Sequence, residues 1–402
     1  MALVAPWLLL VLLALAPGAR AQDELRSDLP RAQPALDRSA LDRRARGTLD
    51  LGLSLLRAVP QGNAVLSPHA LSQALGLVLA GVEGEAAVEL RRALRITGTT
   101  EDGLAALNAL DQALTSRVGQ GRSGAFKVRS VQALWVRRDA PPSGAYLDAL
   151  ATHFGAGARL VDLAGDAAGA RAAIHRWATD ALGEEVDDLV RAGEVTGDAG
   201  LVAVSAAALN AAWQTPFEIT QSTQGRFTSE GAGSLVVPTM SASGLMRSVV
   251  YEGVRAVEVP FARDELSLLV LVPVEGELSA LERSLTADRL AGIMGTMGQQ
   301  PAPTHLVMPR FAVRTRLDLR NGLRAVGVRA GPLAVFVHEA RADVNEAGAG
   351  GQTGAAGVLM PACYHAPQQQ AVGVGIDRPF LFLVRDRFTG ATLLLGRVVD
   401  PR

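Results

Sequence analysis

Cysteine and lysine are the scarcest reactive groups in this 402-residue chain: Cys363 and Lys127 stand alone, and aromatic residues make up only 4%. One thiol excludes any internal disulfide, and with no Cys-x-x-Cys neither a disulfide scaffold nor a thiolate zinc ribbon can form. Because every other basic side chain is arginine, no Gly-Lys-Ser/Thr phosphate loop occurs. An excess of one charge is missing too, since 39 basic residues face 40 acidic ones for a formal net charge of -1. Nucleic acid is therefore not expected as a partner, because phosphate backbones are bound through a clustered basic excess. The hydrolase signatures Gly-x-Ser-x-Gly and His-Glu-x-x-His are absent, and the histidines at 69, 153, 175, 305, 338 and 365 lack ligand spacing. The sequence thus predicts no enzyme, no cofactor and no metal centre. No Asn-x-Ser/Thr sequon occurs at Asn63, Asn108, Asn210, Asn321 or Asn345, which excludes N-glycans.

What is present begins with an address. Trp7 to Leu15 is an apolar stretch too short to span a bilayer, and Ala19-Arg20-Ala21 places small residues at a cleavage position. The pattern predicts a secretory signal peptide over 1–21. No stop-transfer flank or second long apolar run supports a membrane anchor. The mature chain is expected in the secretory pathway, and the ending Asp400-Pro401-Arg402 favours the extracellular space because it is not an ER-retrieval tetrapeptide. In that oxidising compartment Cys363 is either a buried bystander or the link between two otherwise monomeric chains. Residues 22–46, rich in Asp, Arg, Ala and Pro, read as a flexible lead-in, and 47–402 as one compact domain.

Periodicity in that domain is mixed. Ser67-Pro68 is a helix start, an N-cap followed by proline at the first helical position; Leu71, Leu75, Val78 and Leu79 then share a face, and Gly81 is placed to end the helix. Glu85 to Leu94 repeats the pattern. Later segments change period: Val257 to Pro260, Leu266 to Pro273, Phe380 to Arg385 and Thr392 to Val399 read as strands. Leu268 to Val272 lacks polar alternation, which predicts a strand covered on both faces. Helices early and strands late argue for α+β.

Several blocks stand in fixed order along this domain. They are Asn63-Ala64-Val65-Leu66-Ser67-Pro68 with Leu75 and Gly81; Trp213 followed by Phe217, Thr223 and Phe227; Val259-Pro260-Phe261; and Met308-Pro309-Arg310-Phe311. His338 to Gly348 and Asp377-Arg378-Pro379-Phe380 through Asp400-Pro401 complete the set. Together they resemble the serpin superfamily. The resemblance implies three β-sheets, eight or nine helices and an exposed reactive-centre loop between Glu346 and Pro379. In inhibitory members a protease cleaves this loop and is trapped when the loop inserts into the central sheet. By the same resemblance Glu346, Gly348, Ala349, Gly350 and Gly351 form the hinge, and Ala362–Cys363 is the candidate scissile bond, with Leu359, Met360 and Tyr364 equally open. Trp213, Arg310, His338 and Ser67 fall on the breach and shutter that guard the sheet.

The hinge departs from the inhibitory pattern of small, mostly alanine residues. Four glycines at 350, 351, 354 and 357 oppose insertion by about 0.5–1 kcal/mol each, and the loop is longer than the family pattern. Ser205 also stands where inhibitory members carry asparagine. These departures favour a non-inhibitory binding protein over a protease trap. Within the superfamily, Ile174-His175-Arg176-Trp177-Ala178 and Leu285 to Leu290 are similar to the collagen-specific chaperone serpin, which implies a collagen or matrix partner. Of that subfamily's site, the aspartate falls on Asp377 and an arginine beside Arg226; its apolar neighbours fall on Gly373 and Gly375. The hinge and the ending Asp400-Pro401-Arg402 resemble the pigment epithelium-derived factor type, a secreted signalling serpin. An extracellular serine protease is the partner in the alternative, inhibitory reading. Arg137-Arg138 with Lys127 and Arg129 form a candidate weak heparin patch.

Overall fold

The computed structural model describes residues 24–34, 37–118, 126–183, 188–195, 200–229, 231, 233–298, 300–329, 333–350 and 371–402. Helices fill the first half: β1 (Glu24–Leu25), α1 (Arg38–Ala58), β2 (Ala64–Leu66), α2 (Pro68–Leu79), α3 (Gly84–Ala93), α4 (Thr100–Val118), β3 (Phe126–Arg137), α5 (Gly144–Phe154), β4 (Ala158–Val161), α6 (Ala167–Leu182) and β5 (Leu201–Ala212). Strands fill the second: β6 (Thr223–Ser229), β7 (Gly233–Tyr251), β8 (Val254–Pro260), β9 (Leu266–Pro273), α7 (Leu278–Ser284), α8 (Ala287–Thr296), β10 (Ala302–Pro309), β11 (Phe311–Asp318), α9 (Arg320–Ala325), β12 (Leu333–Asn345), β13 (Gly348–Ala349), β14 (Val372–Gly375), β15 (Phe380–Asp386) and β16 (Thr392–Val398). The α+β class and the nine helices among the described residues agree with the sequence reading.

The start of α2 shows how local sequence sets the frame. Ser67 Oγ accepts from the Ala70 N–H, Pro68 occupies the first helical position, and every residue of the helix is buried. Gly81 follows the helix for a different reason from the one its position suggests. The C-cap is Ala80 in right-handed conformation, and a Cβ on Gly81 would lie 2.4 Å from the Tyr146 ring. The glycine is needed for close approach of α5, not for a left-handed cap.

One sheet has the order β1-β4-β3-β5-β13-β12-β11, with β5 and β12 also paired directly. The other runs β14-β10-β7-β8-β9-β15-β16-β2, with β6 beside β7. The expected second and third sheets are thus joined through β7. Its 19 residues, at about 3.3 Å each, are long enough to serve both halves. Its first part pairs with β6 and β10, and from Arg247 onward it pairs with β8. All eight residues of β9 are buried between β8 and β15, as its unbroken apolar run requires.

Residues 22–46 depart from the flexible lead-in that their composition suggested. The described part of that segment contains β1, which pairs antiparallel with β4, and the beginning of α1, capped by the Asp37 carboxylate on the Ala40 N–H. Residues 1–21, assigned to the signal peptide, lie outside the described residues.

Candidate functional site

The site is a seam between β5 and β12. These strands run parallel and pair from Leu201–Leu333 to Ala207–Ala340. Beyond Ala340 the two part, and the space between them is entered from the far end by β13. The chain reverses at Glu346-Ala347, so Gly348 and Ala349 pair antiparallel with Asn345 and Val344 on one side and with Ala212 and Ala211 on the other. The Gly350 N–H then donates to Asp343 O at 2.7 Å. Two residues of the expected hinge, Gly348 and Ala349, are therefore seated in the central sheet, and Gly350 adds one hydrogen bond beyond them.

Glycine makes this seating possible. A Cβ on Gly348 would fall 2.0 Å from Ala211 O, and one on Gly350 would fall 2.5 Å from Leu209 O. Gly350 also adopts φ of +116°, which L side chains rarely tolerate. Composition alone makes the hinge glycines look like an obstacle to insertion, whereas at 348 and 350 the seam leaves no room for anything else.

Aromatic packing and one carboxylate fix the reversal. Trp213 stacks on Phe261 with centroids 4.6 Å apart and meets Phe217 edge-on. Its Nε1–H donates to Asn345 O at 2.8 Å, and its backbone N–H donates to Ala347 O at 3.1 Å. Glu346 is only 6% exposed. Its Oε1 accepts from the Ser222 hydroxyl at 2.5 Å and lies 3.4 Å from Arg310 Nε. Arg310 is half exposed, so this ion pair adds less than the buried hydrogen bond.

Two residues inside the end that the hinge approaches, the seam is bridged by an imidazole. His338 is fully buried and sits opposite Ser205 in the ladder. The Ser67 N–H donates to its Nε2 at 3.0 Å, so the neutral ring carries its proton on Nδ1, which donates to Ser205 Oγ at 2.8 Å. Burial pushes the His338 pKa down to about 3. Ser205, which in sequence looks like a loss at a shutter position, supplies the bridge across β5 and β12.

The other candidates are placed differently. Gly351, Ala362 and Cys363 lie outside the described residues. Asp377 is exposed and its carboxylate accepts from the neighbouring Arg378 at 3.0 Å, while its carbonyl takes the Thr228 N–H. Arg226 lies on β6, two residues from Thr228, so the candidate collagen residues share an edge. Gly373 and Gly375 offer only backbone there, and a Cβ on Gly225 would strike Thr239 Oγ1 at 2.3 Å. In the heparin candidate, Arg137 bonds Asp139 and Arg129 is turned onto Leu182 O; the Lys127 side chain lies outside the described part. Ser222 is absent from the sequence reading, and Phe261 and Asn345 enter it only within the blocks that carry the resemblance, not as site residues. Each contributes through a partner distant in the chain.

Among the described residues no group of three or more His, Cys, Asp or Glu gathers as for a metal ion, and no helix is long and apolar enough to cross a membrane. What the site offers is mechanical. Two residues of β13 pair antiparallel with both neighbours, directly ahead of the parallel β5–β12 ladder.

Comparison with known proteins matches this architecture. Residues 45–401 fit the family described as Serpin (serine protease inhibitor). A putative serpin-Z6A of Oryza sativa subsp. japonica is 31% identical over 84% of this chain and 94% of its own length. Plasminogen activator inhibitor 1 of Mus musculus is 27% identical over 88% and 91%. The crystal structure of tengpin, a thermophilic serpin, in the native state superposes with a TM-score of 0.78 at 17% identity, covering 94% of this chain and 97% of that one. A central sheet with a closed parallel seam, entered at one end by a hinge, and a family match over nearly the whole length lead to one conclusion: the chain belongs to the serpin family.

Proposed function

We propose that this serpin is a suicide-substrate inhibitor of an extracellular serine protease, exported after removal of residues 1–21. The observation that carries this reading is the hinge seated between β5 and β12 in the uncleaved chain. Loop insertion is the step that separates a trap from a substrate, and here it has already begun. Each further residue can add ladder hydrogen bonds worth about 0.5–1.5 kcal/mol apiece, so a strand of roughly ten residues outweighs the remaining glycines at 351, 354 and 357, which oppose it by about 1.5–3 kcal/mol together. The mouse relative's name is that of an inhibitor, which is in keeping with this reading.

The geometry gives the collagen-chaperone reading less support. Gly373 and Gly375 present no side chains, Gly225 has no room for one, and Asp377 is engaged by Arg378. The proposal is tested by nicking the loop with a non-target protease and following thermal unfolding. A trap should gain many degrees once the freed loop completes the sheet. A cleaved protein that melts with the intact one removes the inhibitor reading.

A further inference from the structure

We propose that residues 24–34 act as a clasp that keeps the seam between β5 and β12 closed, through Arg31, Asp111 and His69. The clasp is fastened at separate points. β1 caps the free edge of β4, and Glu24 reaches Arg159 at 3.0 Å, whose guanidinium lies over the Trp135 ring at 5.6 Å and near Trp177 at 6.0 Å. The Ser27 hydroxyl donates to Asp148 on α5, and the Ala32 N–H donates to Thr152 O at 2.8 Å. Arg31 then spans α4: its Nε donates to Asn108 Oδ1 at 2.8 Å and its Nη2 to Asp111 Oδ2 at 2.7 Å.

From Asp111 the contacts lead to the seam. Its second oxygen meets His69 Nε2 at 3.0 Å. His69 is buried in the first turn of α2, and its Nδ1 has no partner among the described residues, so Asp111 is the imidazole's one polar anchor. Two residues earlier, the Ser67 N–H holds His338, which bridges to Ser205 across β5. Burial works to raise the Asp111 pKa, but His69 and Arg31 outweigh it and hold the carboxylate in its charged form.

Coupling requires two arrangements of the seam, the closed one described above and a widened one. Widening the seam moves β5 and the strands on its far side away from β12. α4 leads into β3, which pairs with β5 along nearly its whole length, whereas α2 continues from β2, held in the other sheet by β16. α2 packs on β3 and β5 as well as on β16, so the Asp111–His69 contact ties α4 and β3 to a helix rooted in the other sheet, and Arg31 fixes Asp111 in the tying position. This holds whether or not a protease is trapped.

The test is hydrogen exchange of the full-length protein carrying Arg31→Gln. Exchange of amides over 201–207 and 333–340 should rise about tenfold, the scale of ordinary coupling between sites, while β9 and β15 keep wild-type protection. Arg137→Gln, which removes an exposed pair on neighbouring β3, is the control and should leave the seam unchanged. If Arg31→Gln does not fold, Arg31→Lys is read the same way, with a smaller rise expected because an ammonium cannot span both Asn108 and Asp111. Exchange in the seam within about twofold of wild type in the folded variant overturns the proposal, since linkage of this kind leaves no other place for the effect.

Discussion

Acidification should weaken this protein through His338 before it discharges most carboxylates. The imidazole is held neutral by geometry: Nε2 accepts from a backbone N–H that cannot turn away, so a proton there would face another proton. Its folded pKa of about 3 lies below the ordinary histidine value of 6.5. The unfolded chain therefore takes up the proton first. The stability linked to this group is fully present above the unfolded value and is lost as pH falls from about 6.5 toward about 3. At about 1.4 kcal/mol per unit, the loss between pH 7 and pH 5 is about 2 kcal/mol, a large share of a typical native margin. The assay is urea unfolding of wild type and His338→Gln across that range. The glutamine keeps an acceptor for Ser67 but does not titrate, so it should start less stable and decline less, by about 2 kcal/mol over the interval. Equal declines in the two proteins would refute the reasoning, because the acid sensitivity would then come from other groups.

Other outcomes follow from the same contacts. Gly348→Ala should expel the hinge, since its Cβ would fall 2.0 Å from Ala211 O; amide exchange at 343–345 and 211–212 should rise, and unchanged protection would show that β13 is not seated. Trp213→Phe removes the indole donor to Asn345 O and should lower unfolding stability by about 1–2 kcal/mol, measured in denaturant. Gly81→Ala should cost about 1–3 kcal/mol by driving a methyl into the Tyr146 ring; a neutral effect in thermal unfolding would mean that α5 shifts freely.

The frame was legible where local chemistry sets it. Ser67-Pro68 announces α2, the unbroken run Leu268 to Val272 announces a central strand, and the ordered blocks from Asn63 to Pro401 announce the family. The hinge is not legible locally, because backbone entropy is only part of what glycine contributes. Its value at 348 and 350 depends on carbonyls of β5 more than 130 residues earlier, which no local window contains. The docking of residues 27–32 is illegible for a related reason: Ser27, Arg31 and Ala32 dock through polar contacts on α4 and α5, and polar docking leaves no hydrophobic period to read. The union of two sheets through β7 was hidden because each half of that strand looks like an ordinary strand by itself.

The most direct measurement is incubation of the purified protein with trypsin-like, chymotrypsin-like and elastase-like serine proteases, followed by denaturing electrophoresis. A band at the summed mass of protein and enzyme, resistant to SDS and formed at near-equal stoichiometry with at least one of them, is the predicted result. Clean cleavage of the loop by all three, with every enzyme left active, would contradict it.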